Sequence, residues 1–301
     1  LVDNQGEDEH PMFWGAFVYG LVNTVILALV ALGFNLTFGI SGIANFAYGA
    51  LYILSGYGAW VLLNVLHVPL PISLPAMVLV TALVGALLYR IVLVRLRGMA
   101  IAEVIATFGI GMAILEFFRY LGFVGFQYTL PVFVDGSLLV GGVFLDLQRV
   151  FIVAFGVVLT GGLWLFTRHT GIGLAFRGIA QDERTALCLG IDSDRIATLS
   201  LAFGGGLCAM AAVVILPIGT ISVDAGYEVL LEALAVCIVG GLGSALGVVV
   251  ASFILGMAQT YTALYLGSSW MMVVNLIAVL AILVVRPSGL FGKQKELEER
   301  I

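Results

Sequence analysis

Charge is what this chain has least of: of its 301 residues, 10% are Asp, Glu, Lys or Arg, against 61% apolar. So little charge excludes an ordinary soluble domain, which at this length would leave much of that apolar area facing water. Histidine is scarce too. His10, His67 and His169 are scattered outside the apolar runs, so no imidazole cluster is available for a metal or a proton relay. The three cysteines, Cys188, Cys208 and Cys237, show no paired spacing and read as small core residues rather than a disulfide or a metal site. There is no glycine loop followed by Lys and Ser or Thr, so the chain has no P-loop of its own for ATP. No carboxylate pair or activated thiol offers catalysis a foothold. The net charge of −5 gives no indication of nucleic acid. Ten-residue alternating strands are missing as well, which excludes a transmembrane barrel.

What the chain does have is long apolar runs. They predict an all-α polytopic membrane protein with about eight full transmembrane helices and one short, broken helix. The full spans are read at Phe13–Phe38, Ala47–Leu66, Leu74–Val94, Ile101–Leu121, Val150–Phe166, Ile196–Leu216, Ala245–Tyr265 and Trp270–Val285. A short run, Val229–Val239, precedes the last two, and residues 122–149 form a weakly β-like stretch read as external. Of the 13 Lys and Arg, only Arg119 and Arg149 fall outside the 90–97 loop, the 168–195 island and the C-terminal tail. By the positive-inside rule those segments are cytoplasmic, with the N-terminus outside and the C-terminus inside. The chain thus divides into an acidic external tail (1–12) without the basic region of a signal peptide, a transmembrane domain (13–286) and a cytoplasmic tail (287–301).

Residues 170–195 are the one long hydrophilic island between spans. They read as two short helices, with Asp182 as the N-cap of a helix through Leu189 and Gly190 as the glycine that ends it. Composition leaves two readings open: a docking surface for a soluble partner, or a plain solvated connector or helix lying in the lipid interface.

Two places interrupt the apolar pattern at membrane depth. Gly39–Gly49 carries Ser41, Asn45 and Tyr48; Gly240–Gly247 carries Ser244. Paired interruptions in the two halves point to a transporter's binding or translocation site, whereas close helix packing explains most glycines in a membrane bundle. Glu232 lies about one turn into the short segment, either on a pathway or hydrated at the interface. Glu228 reads as hydrated, Glu116 and Arg119 as a local ion pair, and Glu103 as a charge at a helix start. Asn35, Gln259 and Thr262 either join helices or face a pore. So few buried charges do not suit a proton- or sodium-driven pump. They suit a path for a small uncharged or zwitterionic solute.

Four segments in order carry a family resemblance. ALVALGFNLTFGISGIANFAYGALYILSGYGAW (Ala28–Trp60) resembles the first signature of branched-chain amino acid ABC transporter permeases of the LivH/LivM type. FRGIAQDERTALCLGIDSDRI (Phe176–Ile196) is similar to their cytoplasmic coupling loop. EALAVCIVGGLGSALG (Glu232–Gly247) and RPSGLFGK (Arg286–Lys293) resemble their third and closing signatures. The resemblance implies a permease subunit in a bacterial-type plasma (inner) membrane that pairs with a second permease of the same family. Two cytoplasmic ATPase subunits, which hold the ATP, and an extracytoplasmic solute-binding protein complete such an importer; the permease itself carries no cofactor and no enzyme activity. On this reading Ser41, Asn45, Tyr48 and Tyr52, with Glu232 across the bundle, line the pathway. Arg177, Asp182, Glu183, Arg184 and Gly190 serve the coupling loop. The chain leans to the H type, yet departs from it. Tyr48-Gly49-Ala50 stands where that type commonly has His-Gly-Glu, and Asn35 and Glu232 look like the M type. Relatives that carry urea, short amides or aromatic acids, and an ATP-independent carrier or channel, are the alternatives.

Overall fold

A computed structural model of the chain describes residues 9–123, 128–140 and 143–292. Of the two tails it therefore describes only the stretch from Glu9 and the stretch to Gly292; the rest lies outside the described residues. The first helix, α1 (Glu9–Ser41), begins inside the segment read as tail and runs through Ser41. It is followed by α2 (Tyr48–Asn64) and α3 (Leu70–Leu88). A π-helical stretch, Tyr89–Leu93, joins α3 to one more turn, α4 (Val94–Leu96), and α5 (Ala100–Tyr120) returns. The weakly β-like stretch forms a small antiparallel hairpin. In it β1 (Ser137–Val140) pairs with β2 (Val143–Asp146), with Leu138 opposite Leu145.

Then come α6 (Leu147–His169), the two short helices α7 (Gly171–Gln181) and α8 (Glu183–Cys188), and α9 (Ser193–Ile215). The last three are α10 (Ala225–Gly240), α11 (Ala245–Tyr265) and α12 (Met271–Val285). Among the described residues, seven helical segments are long and apolar enough to cross a membrane. Two apolar helices outside those seven segments are α2, of 17 residues, and α10, of 16 residues. They flank the two breaks: α2 starts just after the first and α10 ends at the second. The run read as Val229–Val239 is thus a helix extended by four residues at its start and one at its end.

The interior is built around α1, which packs on α6, α9, α10 and α11, while α9 packs on α2 and α3. Without water inside a bilayer, helices associate through close packing and polar contacts rather than hydrophobic burial. Both occur here. A methyl group on Gly33 of α1 would come within 2.7 Å of the Gly204 carbonyl oxygen of α9. A chain of amides also crosses three helices: Asn23 of α1 donates to Gln259 of α11 (2.8 Å), which donates to Asn275 of α12 (2.8 Å). Gln259 therefore joins helices, while the Thr262 hydroxyl bonds to the Ala258 carbonyl of its own helix (2.7 Å). Cys208 and Cys237 are buried free thiols, and Cys188 is an exposed one. Large apolar side chains on α3, α5, α6 and α12 face outward, Leu79, Ile105, Val158 and Val284 among them, as a lipid-facing surface requires.

Candidate functional site

The first break follows Ser41. Gly42 takes φ +68°, a left-handed turn that glycine adopts without strain, and the chain stays non-helical until Tyr48. Its backbone is satisfied locally, as membrane burial demands. Asn45 Oδ1 accepts from the Ala47 N–H (3.1 Å), and Thr107 Oγ1 of α5 accepts from the Phe46 N–H (3.2 Å). The second break, 241–244, has Gly241 and Gly243 at φ +98° and +79°. Ser244 Oγ then caps α11 by accepting from the Gly247 N–H (3.1 Å).

The end of α1, just before the first break, touches the second. Asn35 Oδ1 accepts from the Gly243 N–H at 2.9 Å, and a methyl group on Gly39 would stand 2.8 Å from the Gly243 Cα. The closing signature lies on the same place. The Leu290 and Phe291 N–H groups donate to the carbonyls of Val239 and Gly240, both at 2.9 Å. Sequence reading took the breaks as counterparts in two halves and the closing motif as a tail. No local spacing shows that all three meet.

The segment read as a coupling loop is ordered from its own residues. Thr170 Oγ1 accepts from the Gly173 N–H (3.0 Å) to cap α7, and Asp182 Oδ1 accepts from the Arg184 and Thr185 N–H groups (2.9 and 3.2 Å) to cap α8. Gly190, at φ +83°, ends α8 where the left-handed residue of a helix C-terminus belongs. Phe176, Ile179 and Ala186 form a small core with Ile40 of α1 and Ile196 of α9. The rings of Phe166, Phe176 and Phe203 close it, with Phe166 and Phe203 centroids 4.9 Å apart. The end of α1 therefore carries the coupling segment through Ile40 and meets the second break through Asn35 and Gly39. On the outer side Arg177 and Arg184 are exposed, together with Leu174, Leu187 and Leu189.

Glu183 turns the other way. It ion-pairs with Arg97 and accepts from Ser193 Oγ (2.5 Å). Arg97 also donates to Asp194 Oδ1 (2.5 Å) and Ser193 Oγ (2.8 Å), and the Tyr89 hydroxyl donates to Asp194 Oδ1 (2.8 Å). Burial works against the Arg97 charge, but its acidic neighbours, Glu183, Tyr89 and Asp194, outweigh it and raise the guanidinium pKa above its ordinary value. Sequence reading used Arg97 only to orient the chain and missed Tyr89 and Asp194. The residues lie about a hundred positions apart, and no motif links them.

Of the five residues read as pathway-lining, Ser41 lies on the wall of a cavity of about 290 Å³ that also includes Arg97, Glu103 and Glu183. Asn45, Tyr48 and Tyr52 are enclosed in the bundle. Tyr48 donates to the Val30 carbonyl (2.8 Å) and meets Phe34 edge-on. Glu232 is half-buried on α10, within electrostatic range of Tyr52 and Glu228. Neither Tyr52 nor Glu232 lines the cavity that Ser41 lines. Glu228 is exposed. Glu116 and Arg119 form the expected pair (2.7 Å), which Asp224 joins from the start of α10 (2.9 Å). Among the described residues there is no group of His, Cys, Asp and Glu suited to a metal ion.

Comparison with known proteins identifies the family. The family described as branched-chain amino acid transport system / permease component matches residues 16–284. The chain is similar to the high-affinity branched-chain amino acid transport system permease protein BraD of Pseudomonas aeruginosa, 29% identical over 92% of this chain and 94% of that one. It is similar also to LivH of Escherichia coli, with the same description (29%; 92% and 96%), and to the probable LivH of Methanocaldococcus jannaschii (28%; 92% and 91%). Among solved structures, PsaBC from Streptococcus pneumoniae in complex with Fab shares the fold, with a TM-score of 0.52, 11% identity and 95% of each chain covered.

Proposed function

This chain belongs to the branched-chain amino acid transport permease family, and from that premise we propose that it is the membrane subunit of an ATP-driven importer for branched-chain or other neutral amino acids. It pairs with a second permease of its family. Two ATPase subunits work on the cytoplasmic face, and a binding protein delivers solute from outside. The 168–195 island and the C-terminus face the cytoplasm, and the pathway runs past the breaks, with Ser41, Asn45, Tyr48, Tyr52 and Glu232 near it. The coupling segment presents Arg177 and Arg184 to the ATPase, while Asp182 and Gly190 hold its shape and Glu183 holds it to the bundle.

The observation that carries this reading is the end of α1. Within seven residues it contacts the second break (Asn35, Gly39), the first break (Ser41 Oγ, which accepts from the Ile43 N–H at 3.3 Å) and the core of the coupling segment (Ile40). Movement of the coupling segment by an ATPase therefore reaches both breaks through rigid packing, as alternating access requires. The test is uptake of radiolabelled leucine by proteoliposomes holding the chain with its genomic neighbours and binding protein. Uptake that needs ATP and binding protein supports the proposal; equal flux without ATP makes it a carrier or channel. Tyr48 and Ala50 leave the first break without an imidazole or a carboxylate, which favours a neutral amide such as urea as a second substrate class. Competition by urea in the same assay decides between them.

A further inference from the structure

The 290 Å³ cavity behind the coupling segment has the chemistry of a ligand site. Its size is at the small end of the ~300–1,000 Å³ found for ligand pockets, which limits an occupant to about the size of an amino acid. Three kinds of group line it. Arg97 brings a guanidinium whose present partners are two carboxylates and the Ser193 hydroxyl. Glu103 brings a carboxylate on a residue only 8% exposed, where Oε1 accepts from the Gly98 N–H (3.2 Å) and Oε2 has no hydrogen bond among the described residues. Ile40, Ile43 and Ile179 add aliphatic surface. A cation–carboxylate–aliphatic set on one cavity wall matches the three parts of one molecule class.

We infer that this cavity binds a free α-amino acid with an aliphatic side chain, its ammonium on Glu103, its carboxylate on Arg97 and its side chain against the isoleucines. The inference rests on the proposed function for the side of the membrane it faces and for the chemistry of its ligand, and it adds a second solute site, on the coupling side. The ligand carboxylate competes with Glu183 for Arg97, so occupancy loosens the tie between the coupling segment and the 90–97 turn. Accumulated solute then slows its own import.

The test is equilibrium binding of radiolabelled leucine to the purified full chain in detergent, without binding protein. Leucine binds saturably; leucinamide, which lacks the carboxylate, and 4-methylpentanoate, which lacks the ammonium, compete at least tenfold less well. Ala100→Phe, from an exposed residue on the cavity wall, abolishes binding. Glu103→Gln weakens it about tenfold, whereas Glu183→Gln, which removes the competitor, tightens it about tenfold. No leucine binding, binding indifferent to Ala100→Phe, or both Gln variants moving affinity in the same direction overturns the inference. Failure of the transport reading is separate: it appears as absent ATP-dependent leucine uptake, whatever the cavity binds.

Discussion

The side chain of Asn35 accepts the backbone N–H of Gly243 at 2.9 Å, across 208 positions of sequence. A single amide thus fastens the end of α1 to the turn between α10 and α11. Asn35 is 5% exposed while Gly243 is exposed, so Asn35→Ala removes the bond and leaves the Gly243 N–H free to turn to other acceptors. The expected cost is about 0.5–1.5 kcal/mol, read as a lower melting temperature of the purified chain in detergent. An unchanged melting temperature shows that the contact contributes nothing to stability.

Gly39→Ala sets a methyl group 2.8 Å from the Gly243 Cα, where backbone meets backbone and no side chain can swing aside. Overpacking of this kind costs about 1–3 kcal/mol, so the variant accumulates less folded protein in membranes. Gly109→Ala on α5 is the opposite case. A methyl group there meets nothing within 4 Å, and the helix gains about 1 kcal/mol from losing glycine. The two variants move stability in opposite directions, measured by detergent melting.

Ala186→Pro removes the Ala186 N–H that donates to the Asp182 carbonyl (3.1 Å) and so breaks α8. The spans do not depend on α8, so the protein still inserts and elutes as one species. Solute-stimulated ATP hydrolysis by the assembled importer falls at least tenfold. Normal stimulated hydrolysis would sink the coupling role of this segment.

Arg97→Ala removes two exposed ion pairs, each worth about 0–1 kcal/mol, so global melting hardly moves. The tie between the 90–97 turn and the segment from Glu183 to Asp194 is lost nonetheless. Trypsin then cuts after Arg184 and Arg195 several-fold faster, and Arg97→Lys restores part of the protection. Equal cleavage rates in all three proteins would show that the tie holds nothing in place.

What sequence reading reached, it reached through local chemistry. Asp182 and Gly190 bound α8 because capping is decided within four residues, and Glu116 met Arg119 because they share a helix face. Both breaks were visible as glycine clusters with polar companions. What it missed depends on distant partners. Glu183, read among the coupling residues, is drawn inward by Arg97, 86 positions away. The closing motif lies on the second break because its backbone N–H groups find the carbonyls of Val239 and Gly240 there, a pairing that side-chain patterns do not encode. Glycine at the first break looks the same in sequence whether it lines a path or admits a neighbouring backbone. Only the position of Gly243 tells which at Gly39.

The π-helical stretch Tyr89–Leu93 places a surplus residue in the helix that leads to Arg97. Each residue turns an α-helix by about 100°, so that one residue sets the azimuth at which Arg97 leaves the helix relative to the body of α3. Excising it would keep every side chain of the ion-pair cluster in the chain yet swing Arg97 about a quarter-turn away from Glu183 and Asp194. Attachment of the 170–195 segment is therefore a matter of helical phase, set about one turn before the arginine that holds it.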